Sequence, residues 1–576
     1  MEPNAIVGNW MEASWLLGIG LAGAFPRLGG LVKRPFRIGL AALTPLALLL
    51  AACGGESRSG GESEPAREGA REAGGSVAVG VASAPTSLLP PLSTSALDGE
   101  LAAVLFLGLN WPEWGAGELT YVEGHPLALA RSWEIDGSTL TYHLDSGRTW
   151  SDGEPIRAAD VVFTYQLLKR LQHMPMAIAA ARVDSVVAAD DSTAVFHFDA
   201  PYPGMLYDTG VGILPVHAYG GLTEDQLAAV GRSDDAPPLV PSGPFTVSRW
   251  GADQRIELVP NPRSAVQPLV ERITFLPYPD PATRVVAVRA GELDMALVES
   301  YRDATALDAA EGTRVLRVPQ RGYDYIAWNP ARHPAFASRD VRRALSLVID
   351  REAVIAALDM TGFAQKAYGP YGSLFETLAP PAPEGGDFDP AAAGELLDAA
   401  GWIDADGDGV REKDGQALAF ELGVPADNDR RRDAAQLIQG QLAAAGVRAD
   451  LASQEFNSLF ARARARDYEA VFLGWQVGLD PDISFFWADP DSPVNVTGYD
   501  GPEVRGHMEA ALASATAPEA APHWAEAARL IAADYPYAFL WYFDFVWVAA
   551  ERLQGVRVDA VGFLRNPHEW TVRDGR

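Results

Sequence analysis

Three aspartates stand at alternate positions of one short, glycine-rich stretch of the chain. Asp404, Asp406 and Asp408 supply carboxylates, and Val410 follows with a backbone carbonyl. Hard oxygen ligands around a tight turn are what a calcium ion requires, so this stretch predicts a calcium site. The pattern departs from an EF-hand loop at its twelfth position, where Gly415 replaces the bidentate glutamate. A solvated Asp-Gly turn without a metal is the alternative interpretation.

Aromatic side chains form a second group with chemical potential. Stacking and apolar shape suit a cleft that holds varied small molecules. Most aromatic residues in any protein pack in a core, so each one alone is more often structural. The aromatic residues that draw attention are Trp111, Trp114, Trp150, Tyr323, Tyr325, Trp475, Trp541 and Tyr542.

Catalytic signatures are absent from the sequence. It contains no H-E-x-x-H, G-x-S-x-G, P-loop or C-x-x-C pattern, and its 9 histidines lack the spacing of metal ligands. The sequence therefore predicts no enzyme and no cofactor other than the calcium ion discussed above. A net charge of -30, from 76 acidic and 46 basic residues, argues against nucleic acid as a partner.

The N-terminal region has the layout of a targeting segment. A basic stretch at residues 33–37 precedes an apolar run at 38–50, and small residues lead to Cys53, the single cysteine of the chain. This layout resembles a bacterial lipoprotein signal, which implies that Cys53 carries a lipid. Residues 1–52 are then an N-terminal extension and signal. Residues 53–75, rich in Gly, Ser and Glu, are a flexible tether.

The most informative folded segment runs from Leu127 to Gln166. Asp136-Gly137 lies between alternating apolar residues and predicts a tight hairpin. A second turn at Ser151-Asp152-Gly153 leads into a helical apolar stripe, with Asp160 placed in the first helical turn. Turn chemistry and periodicity thus predict a short helix at the start, a hairpin and a second helix.

Further elements alternate between strands and helices. Asp280-Pro281 predicts a capped helix that ends at Gly291, and Asp389-Pro390 predicts another that ends at Gly401. The length of 576 residues exceeds that of a single core. The chain is therefore expected to divide into at least two α/β domains.

Two consecutive motifs connect this pattern to a known family. The run A-x-S-W-x-x-D-G-x-x-x-T-Y-x-L, then G-x-x-W-S-D-G-x-P-I-x-A-x-D-V-V-F-T-Y, resembles the sequence mark of family 5 extracellular solute-binding proteins. These are the peptide, oligopeptide and nickel receptors of ABC importers. The resemblance implies a two-lobed α/β fold of the periplasmic-binding-protein type II, with mixed sheets and a two-strand hinge. Lobe I is expected at residues 77–325 and 541–576, and lobe II at 326–540.

The resemblance also implies a ligand site. The segment around Trp475 resembles the cleft loop of the family, in which a tryptophan stacks on the ligand and a carboxylate binds the α-amino group of a peptide. In the peptide receptors that aspartate lies three residues after the tryptophan, where this chain has Gly478. The nearest carboxylate is Asp480, which either takes this role or caps a helix that has Pro481 at its first position.

Five further residues complete the predicted site. The resemblance places Tyr323, Tyr325, Trp541 and Tyr542 near the lobe interface. Ser242 lies in a turn similar to the "GTGPY" turn of the family. This turn is either a ligand contact or the start of a hairpin.

The family resemblance implies a function in uptake. We expect a monomeric, lipid-anchored receptor on the outer face of the cell membrane that captures peptides and delivers them to ABC permease subunits. The missing aspartate at Gly478 leaves open a non-peptide solute, such as an oligosaccharide or a nickel complex. Nickel is less favoured because the sequence shows no histidine cluster. A sensory or structural surface lipoprotein with the same fold is the alternative from a different class.

Overall fold

The computed structural model of the chain describes residues 74–573, with gaps at 116, 172–179, 234, 252, 320–321 and 383–386. The predicted signal, Cys53 and the predicted tether up to residue 73 lie outside the described residues. Within the described part, no helix has both the length and the apolar character needed to cross a membrane.

Strands and helices alternate along most of the described chain. The strands are β1 (Ser76–Val81), β2 (Pro112–Gly115), β3 (Glu118–Tyr121), β4 (Ala130–Asp136), β5 (Thr139–Leu144), β6 (Val183–Asp190), β7 (Thr193–Phe198), β8 (Phe245–Trp250), β9 (Ile256–Pro260), β10 (Arg272–Pro277), β11 (Met295–Val298), β12 (Thr313–Val318), β13 (Gly322–Trp328), β14 (Ala364–Lys366), β15 (Glu412–Lys413), β16 (Gln416–Ala417), β17 (Ala419–Pro425), β18 (Arg448–Gln454), β19 (Ala470–Gln476), β20 (Tyr537–Phe543), β21 (Phe545–Ala550), β22 (Leu553–Gln554) and β23 (Thr571–Val572). The α-helices are α1 (Ala96–Leu105), α2 (Ala158–Leu171), α3 (Met205–Asp208), α4 (Val216–Tyr219), α5 (Glu224–Ala229), α6 (Pro281–Arg289), α7 (Tyr301–Asp308), α8 (Arg339–Leu347), α9 (Arg351–Ala357), α10 (Pro390–Ala399), α11 (Asp429–Ala444), α12 (Phe456–Arg464), α13 (Ser484–Trp487), α14 (Pro502–Leu512) and α15 (Ala517–Asp534).

The first lobe is built on two sheets. Among the described residues, its larger sheet has seven strands in the order β12-β21-β11-β1-β10-β9-β8, in which β1 runs parallel to β10 and β11. The alternating Val77, Val79 and Val81 of β1 are all buried, as the strand period requires. The antiparallel sheet β4-β5-β7-β6 contributes to the same hydrophobic core.

The predicted hairpin is confirmed. Asp136 pairs with Thr139 where β4 turns into β5, and Gly137 takes a φ of 57° that the tight turn requires. The helix predicted after the second turn is α2. The short helix predicted at Leu127 is wrong, because this segment bonds to a neighbouring segment instead: Leu129 N–H donates to Gly108 O at 2.9 Å.

The second lobe is built on a six-stranded sheet in the order β14-β20-β13-β19-β17-β18. Every residue of β13 and β20 is buried. Successive side chains of a strand point to opposite faces, so one face packs Ile326, Trp328 and Trp541 into one core. The other face packs Tyr323 and Tyr325 into a second core.

The chain passes twice between the two large sheets, at points that lie side by side. It leaves the seven-stranded sheet after β12 and enters β13, and it leaves β20 and returns with β21 after Asp544 alone. β13 pairs with β20 through Tyr323 opposite Tyr542. The boundaries expected from sequence, 325/326 and 540/541, fall within these two strands.

A buried carboxylate ties the two crossings together. Asp324, in β13, is 0% exposed. Its Oδ1 accepts two hydrogen bonds from Arg431, from Nε at 3.0 Å and Nη2 at 2.9 Å. Its Oδ2 accepts Nη2 of Arg430 at 2.9 Å and Nε1 of Trp541 at 3.0 Å. Burial alone would raise the pKa of Asp324, but the two guanidinium groups outweigh it and hold the pKa below its usual value.

Gly474, which precedes the predicted site residue Trp475, packs closely against Asp324. A Cβ atom on Gly474 would lie 2.7 Å from Asp324 Oδ1. A side chain there would therefore displace the carboxylate. The ladder between β13 and β20 also shifts register between Asp324 and Tyr325, which marks a local irregularity at this point.

We predict that Asp324→Asn lowers the free energy of unfolding by about 3–5 kcal/mol, because it leaves the buried guanidinium of Arg431 and the partly buried one of Arg430 without their counter-charge. Since the folded pKa of Asp324 lies below its usual value, this stabilisation is present at neutral pH and is lost as the pH falls through the folded pKa. Urea unfolding at several pH values measures both effects.

The control is Asp450→Asn in the exposed pair of Arg448 and Asp450, which are 3.6 Å apart. This variant should leave stability nearly unchanged. Equal stability losses in the two variants would contradict the role assigned to Asp324.

Candidate functional site

A cavity of about 180 Å³ lies in the first lobe and reaches its border with the second. Its wall is mostly apolar. It comes from residues 90–93, from α1 and the residues that follow it, from the β2–β3 hairpin, and from later segments around residues 127, 207–212, 479 and 561–565. One wall residue, Leu479, belongs to the loop after β19 of the second lobe. The wall includes Pro90, Glu100, Phe106, Asn110, Leu119, Tyr121, Leu127, Gly210, Val211, Leu479 and Arg565.

Asp98, a buried residue in the first turn of α1, fixes the start of this helix. Ser95 Oγ accepts the N–H of Asp98 at 3.1 Å, and Asp98 Oδ2 accepts the N–H of Ser95 at 3.0 Å, which is a reciprocal capping box. The carboxylate of Asp98 also accepts the N–H groups of Thr86 and Thr94 at 2.8 and 2.9 Å. One side chain thus orders both the helix and the loop before it.

A second buried acid joins α1 to the C-terminal part of the chain. The two oxygens of Glu100 accept the backbone N–H groups of Phe563 and Leu564 at 3.1 and 3.0 Å. Burial raises the pKa of Glu100 to about 8, although these bonds and the charge of Arg565 oppose the shift. Glu100 therefore holds one side of the cavity wall in place.

Three carboxylates from both lobes meet beside the cavity, and we call them with Arg182 the acidic cluster. Asp208 belongs to the first lobe, whereas Asp480 and Asp482 follow β19 in the second. Arg182 of the first lobe donates to Asp482 Oδ2 at 3.0 Å, and its guanidinium lies 4.7 Å from the ring centre of Tyr202. One guanidinium thus stands against three carboxyl groups.

The excess of acid changes the protonation of the cluster. Burial raises the pKa of Asp208 to about 8; the hydroxyl of Tyr202, which donates to Asp208 Oδ2, lowers it, and the charge of Asp480 raises it further. Burial, followed by the charge of Asp482, raises the pKa of Asp480 to about 6. Asp208 and Asp480 therefore hold their protons more tightly than usual, chiefly because they are buried and in part because carboxylates stand beside them. The arrangement is suited to receive a cationic group.

Asp480 lies at the meeting of the lobes. Its Oδ1 accepts the N–H of Asp482 at 2.9 Å, and a Cβ atom on Gly204 of the first lobe would lie 2.6 Å from its Oδ2. The next helix, α13, begins only at Ser484. Asp480 therefore does not cap a helix that starts at Pro481, and its carboxylate faces the first lobe.

The aromatic residues predicted for the site pack on one face of the six-stranded sheet, with one exception. Trp475 is buried. Its ring stacks with that of Tyr325, with the ring centres 6.0 Å apart, and its Nε1–H donates to the Tyr537 hydroxyl at 3.2 Å. Tyr323 and Tyr542 share this core, with ring centres 6.4 Å apart.

The exception is Trp541, which points to the opposite face and bonds to Asp324. Ser242 is buried in the first lobe, where its Oγ accepts the Leu107 N–H at 2.9 Å. Among the described residues, neither Trp541 nor Ser242 has a side-chain contact with a member of the acidic cluster.

The predicted calcium loop is exposed and folded around its own carboxylates. Asp404, Asp406 and Glu412 bring one oxygen each within 4.8 Å of the others. Asp408 Oδ1 instead accepts the Val410 N–H at 2.8 Å. Both oxygens of Asp404 accept backbone N–H groups of the loop. Calcium binding here stays a prediction.

The sequence interpretation missed Arg182, Tyr202 and Asp208. Arg182 and Asp482 are 300 positions apart, so no local pattern links them. Asp208 ends a single-turn helix, α3, that no periodicity reveals. The excess of acidic groups becomes visible only when the two lobes face each other.

Comparison with known proteins places the chain in a family. Residues 126–494 match the model of bacterial extracellular solute-binding proteins, family 5. The chain is 30% identical over 510 residues to protein XP55 of Streptomyces lividans, which covers 86% of this chain and 88% of that protein. It is 27% identical over 547 residues to the oligopeptide-binding protein AppA of Bacillus subtilis, which covers 92% and 97%.

Solved structures show the same fold. The AppA structure from Bacillus subtilis, in complex with a nonapeptide, has a TM-score of 0.68 at 24% identity and covers 88% of this chain and 100% of its own. CtaP from Listeria monocytogenes has a TM-score of 0.75 at 23% identity and covers 87% and 99%. The predicted two-lobed α/β fold is confirmed. The chain belongs to the bacterial extracellular solute-binding proteins of family 5.

Proposed function

We propose that this protein captures peptides by their free amino terminus between its two lobes and delivers them to the membrane subunits of an ABC importer. The acidic cluster carries the proposal, because among the described residues Arg182 is the one cation that acts on both Asp208 and Asp480, beside an apolar cavity. An ammonium group paired with buried carboxylates is a strong, orienting contact. The relatives named as oligopeptide- and dipeptide-binding proteins support the same ligand class.

Capture requires that the lobes close around the ligand. We propose that lobe one ends at Val318 and resumes at Phe545, and that lobe two comprises residues 322–543, since β13 and β20 pair from Tyr323 to Ala327 within one sheet. The ion pair of Arg182 and Asp482 spans the two lobes. A ligand that touches both sides favours the closed arrangement.

We further propose that the receptor is attached to the membrane and that it does not convert its ligand. Lipid attachment at Cys53, followed by the tether, would hold a monomeric receptor at the outer face of the membrane. The ligand would leave the site unchanged, as expected of a solute-binding receptor of this family. A neighbouring permease and ATPase gene pair would support transport over a sensory or structural role.

A dedicated receptor for a smaller, non-peptide solute is the second candidate function. The cavity of about 180 Å³ favours it, because this space is small beside that of drug-sized ligand pockets. An oligosaccharide would leave the acidic cluster without a cation, so a cationic solute fits the site better. The next experiment separates these candidates.

We expect native mass spectrometry of protein purified without refolding to show a ladder of added masses that collapses to one apoprotein mass on denaturation. Peptide fragments in the released fraction would identify the ligand class. A single non-peptide mass would replace the peptide proposal with a dedicated solute receptor. Bare apoprotein that also fails to bind added peptides would favour the sensory role.

We predict that Asp480→Asn weakens binding of peptides with a free amine about ten- to hundred-fold, the worth of one charge-assisted hydrogen bond. Because the pKa of Asp480 is raised to about 6, binding to the wild type should weaken as the pH falls from 7.5 to 5 and the carboxylate gains a proton. Calorimetry across this pH range should find that the affinity of the Asp480→Asn variant lacks this decrease.

Two controls test the role of charge. Asp489→Asn removes a carboxylate with the same local turn, in which Oδ1 accepts the Asp491 N–H at 2.9 Å, and it should not change affinity. An N-acetylated peptide should bind the wild type and Asp480→Asn equally. A preference of the wild type for the acetylated peptide would overturn the proposed amine contact.

We propose calcium as a structural ion of the exposed loop, in keeping with the three converging oxygens of Asp404, Asp406 and Glu412. Calorimetry with calcium in the millimolar range should give one binding event, and Asp406→Ala should abolish it. Absence of heat in the wild type would refute the site. Magnesium serves as the control ion, since it holds its water more tightly.

A further inference from the structure

We propose that His507 and His523 form a zinc site that links two neighbouring helices of the second lobe. The two imidazole rings bind the ion, and water completes its coordination. The residues of this site belong neither to the acidic cluster nor to the exposed loop proposed for calcium. The inference does not depend on the proposed capture of peptides.

The two histidines meet across the helix pair α14 and α15. Nδ1 of His507 lies 3.3 Å from Nδ1 of His523, and the ring centres are 5.6 Å apart. Both residues are half-buried, so the pair lies at the protein surface. They stand 16 positions apart in the chain, which is further than the short spacings that reveal zinc ligands in a sequence. The pair therefore becomes visible only in the folded chain.

The hydrophobic core fixes the positions of both histidines. Each histidine directly precedes a buried residue of its own helix, which is Met508 in α14 and Trp524 in α15. Met508 and Trp524 pack in the same core cluster. The two helices thus hold the histidines side by side before an ion binds. A pair that is already assembled loses little conformational freedom on binding, which favours affinity.

The distance between the two nitrogens matches that between two ligands of one zinc ion. Zinc binds imidazole nitrogen at about 2.0–2.1 Å in tetrahedral geometry, so two such nitrogens stand about 3.3–3.4 Å apart. Two ligands at right angles, as in square-planar or octahedral coordination, would stand about 2.8–3.0 Å apart. The observed 3.3 Å therefore favours a tetrahedral ion.

Without an ion, the close approach of the two nitrogens requires a hydrogen between them. One Nδ1 must carry the hydrogen that the other accepts, because two lone pairs facing each other repel. On zinc binding, the donor ring changes its tautomer and carries its hydrogen on Nε2 instead. Both Nδ1 atoms then present a lone pair to the ion. Each ring stays neutral, and no net proton is released.

Acidic residues lie near the pair on both helices. Glu503 precedes His507 by four positions, and Glu526 follows His523 by three, so each shares a helix face with its histidine. The pKa of Glu526 is lowered chiefly by its hydrogen bond with Arg529 and in small part by His507. Among the described residues, neither carboxylate converges on the two rings as a third ligand. Their charges instead favour the approach of a cation.

The test is calorimetry of the whole chain, dialysed against a chelating resin, with Zn²⁺ as the titrant. We expect a binding event that is weakened at least about ten-fold in His507→Ala and in His523→Ala. Each variant removes one of two direct ligands, and even the loss of an outer partner of a metal site costs about ten- to hundred-fold. Mg²⁺ should give no binding that depends on these histidines, because it prefers oxygen ligands.

The matched control is His217→Ala. His217 is an exposed histidine whose Nε2 lies 2.7 Å from a carboxylate oxygen of Asp152 rather than from a second ring. This variant should bind zinc as the wild type does. Zinc binding that survives both His507→Ala and His523→Ala would overturn the proposal, since the ion would then lie elsewhere. Absence of binding to the wild type would also reject the site and leave the pair as a hydrogen bond between helices.

Anomalous scattering at the zinc absorption edge locates the ion directly. Crystals of the wild type grown with Zn²⁺ should show a peak between the rings of His507 and His523. Peaks at other positions, with none between the two rings, would contradict the assignment.

Thermal unfolding separates an ion site from a structural contact. Zinc should raise the unfolding midpoint of the wild type by a few degrees, because an ion that binds only the folded state stabilises it by mass action. The midpoint of His507→Ala should not respond to zinc. If zinc changes both midpoints equally, or neither, the histidine pair has only a structural role.

Discussion

The carboxylate of Asp324 is the interaction on which the two-lobed arrangement depends. It lies where the chain enters the second lobe, and it holds Arg430, Arg431 and Trp541 in one buried network. Trp541 stands in β20, just before the chain returns to the first lobe. A charge buried without partners would be strongly destabilising. The network therefore keeps both crossing strands together as one unit.

The acidic cluster has the opposite character. Around Asp324 the cations outnumber the carboxylate, and its pKa is lowered. In the cluster, Asp208 and Asp480 outnumber the available cation, and the pKa of each is raised. The first arrangement is complete within the chain, whereas the second gains from a cation that comes from outside. This difference separates the structural network around Asp324 from the proposed binding site, and it is why we assign ligand capture to the cluster.

The cavity beside the cluster depends on polar groups outside both networks. Asp98 and Glu100 fix the N-terminal half of α1 through backbone N–H groups. These acids use their hydrogen-bonding capacity within the protein. A wall that is held in place before the ligand arrives loses little conformational freedom on binding, which favours affinity.

The sequence by itself determined the local elements and the family. Local signals between neighbouring residues can be read directly from the sequence. Examples are the Asp136-Gly137 turn, the Asp280-Pro281 helix start and the paired motifs around Trp150. The short helix expected at Leu127 is wrong because that segment bonds to the segment at Gly108, which is distant in the chain order of local elements. Only the tertiary structure decided the site. Asp480 was predicted from its place after Trp475, but its companions Arg182 and Asp208 come from the other lobe. Charge balance and burial are properties of groups brought together across hundreds of residues, and no local pattern encodes them.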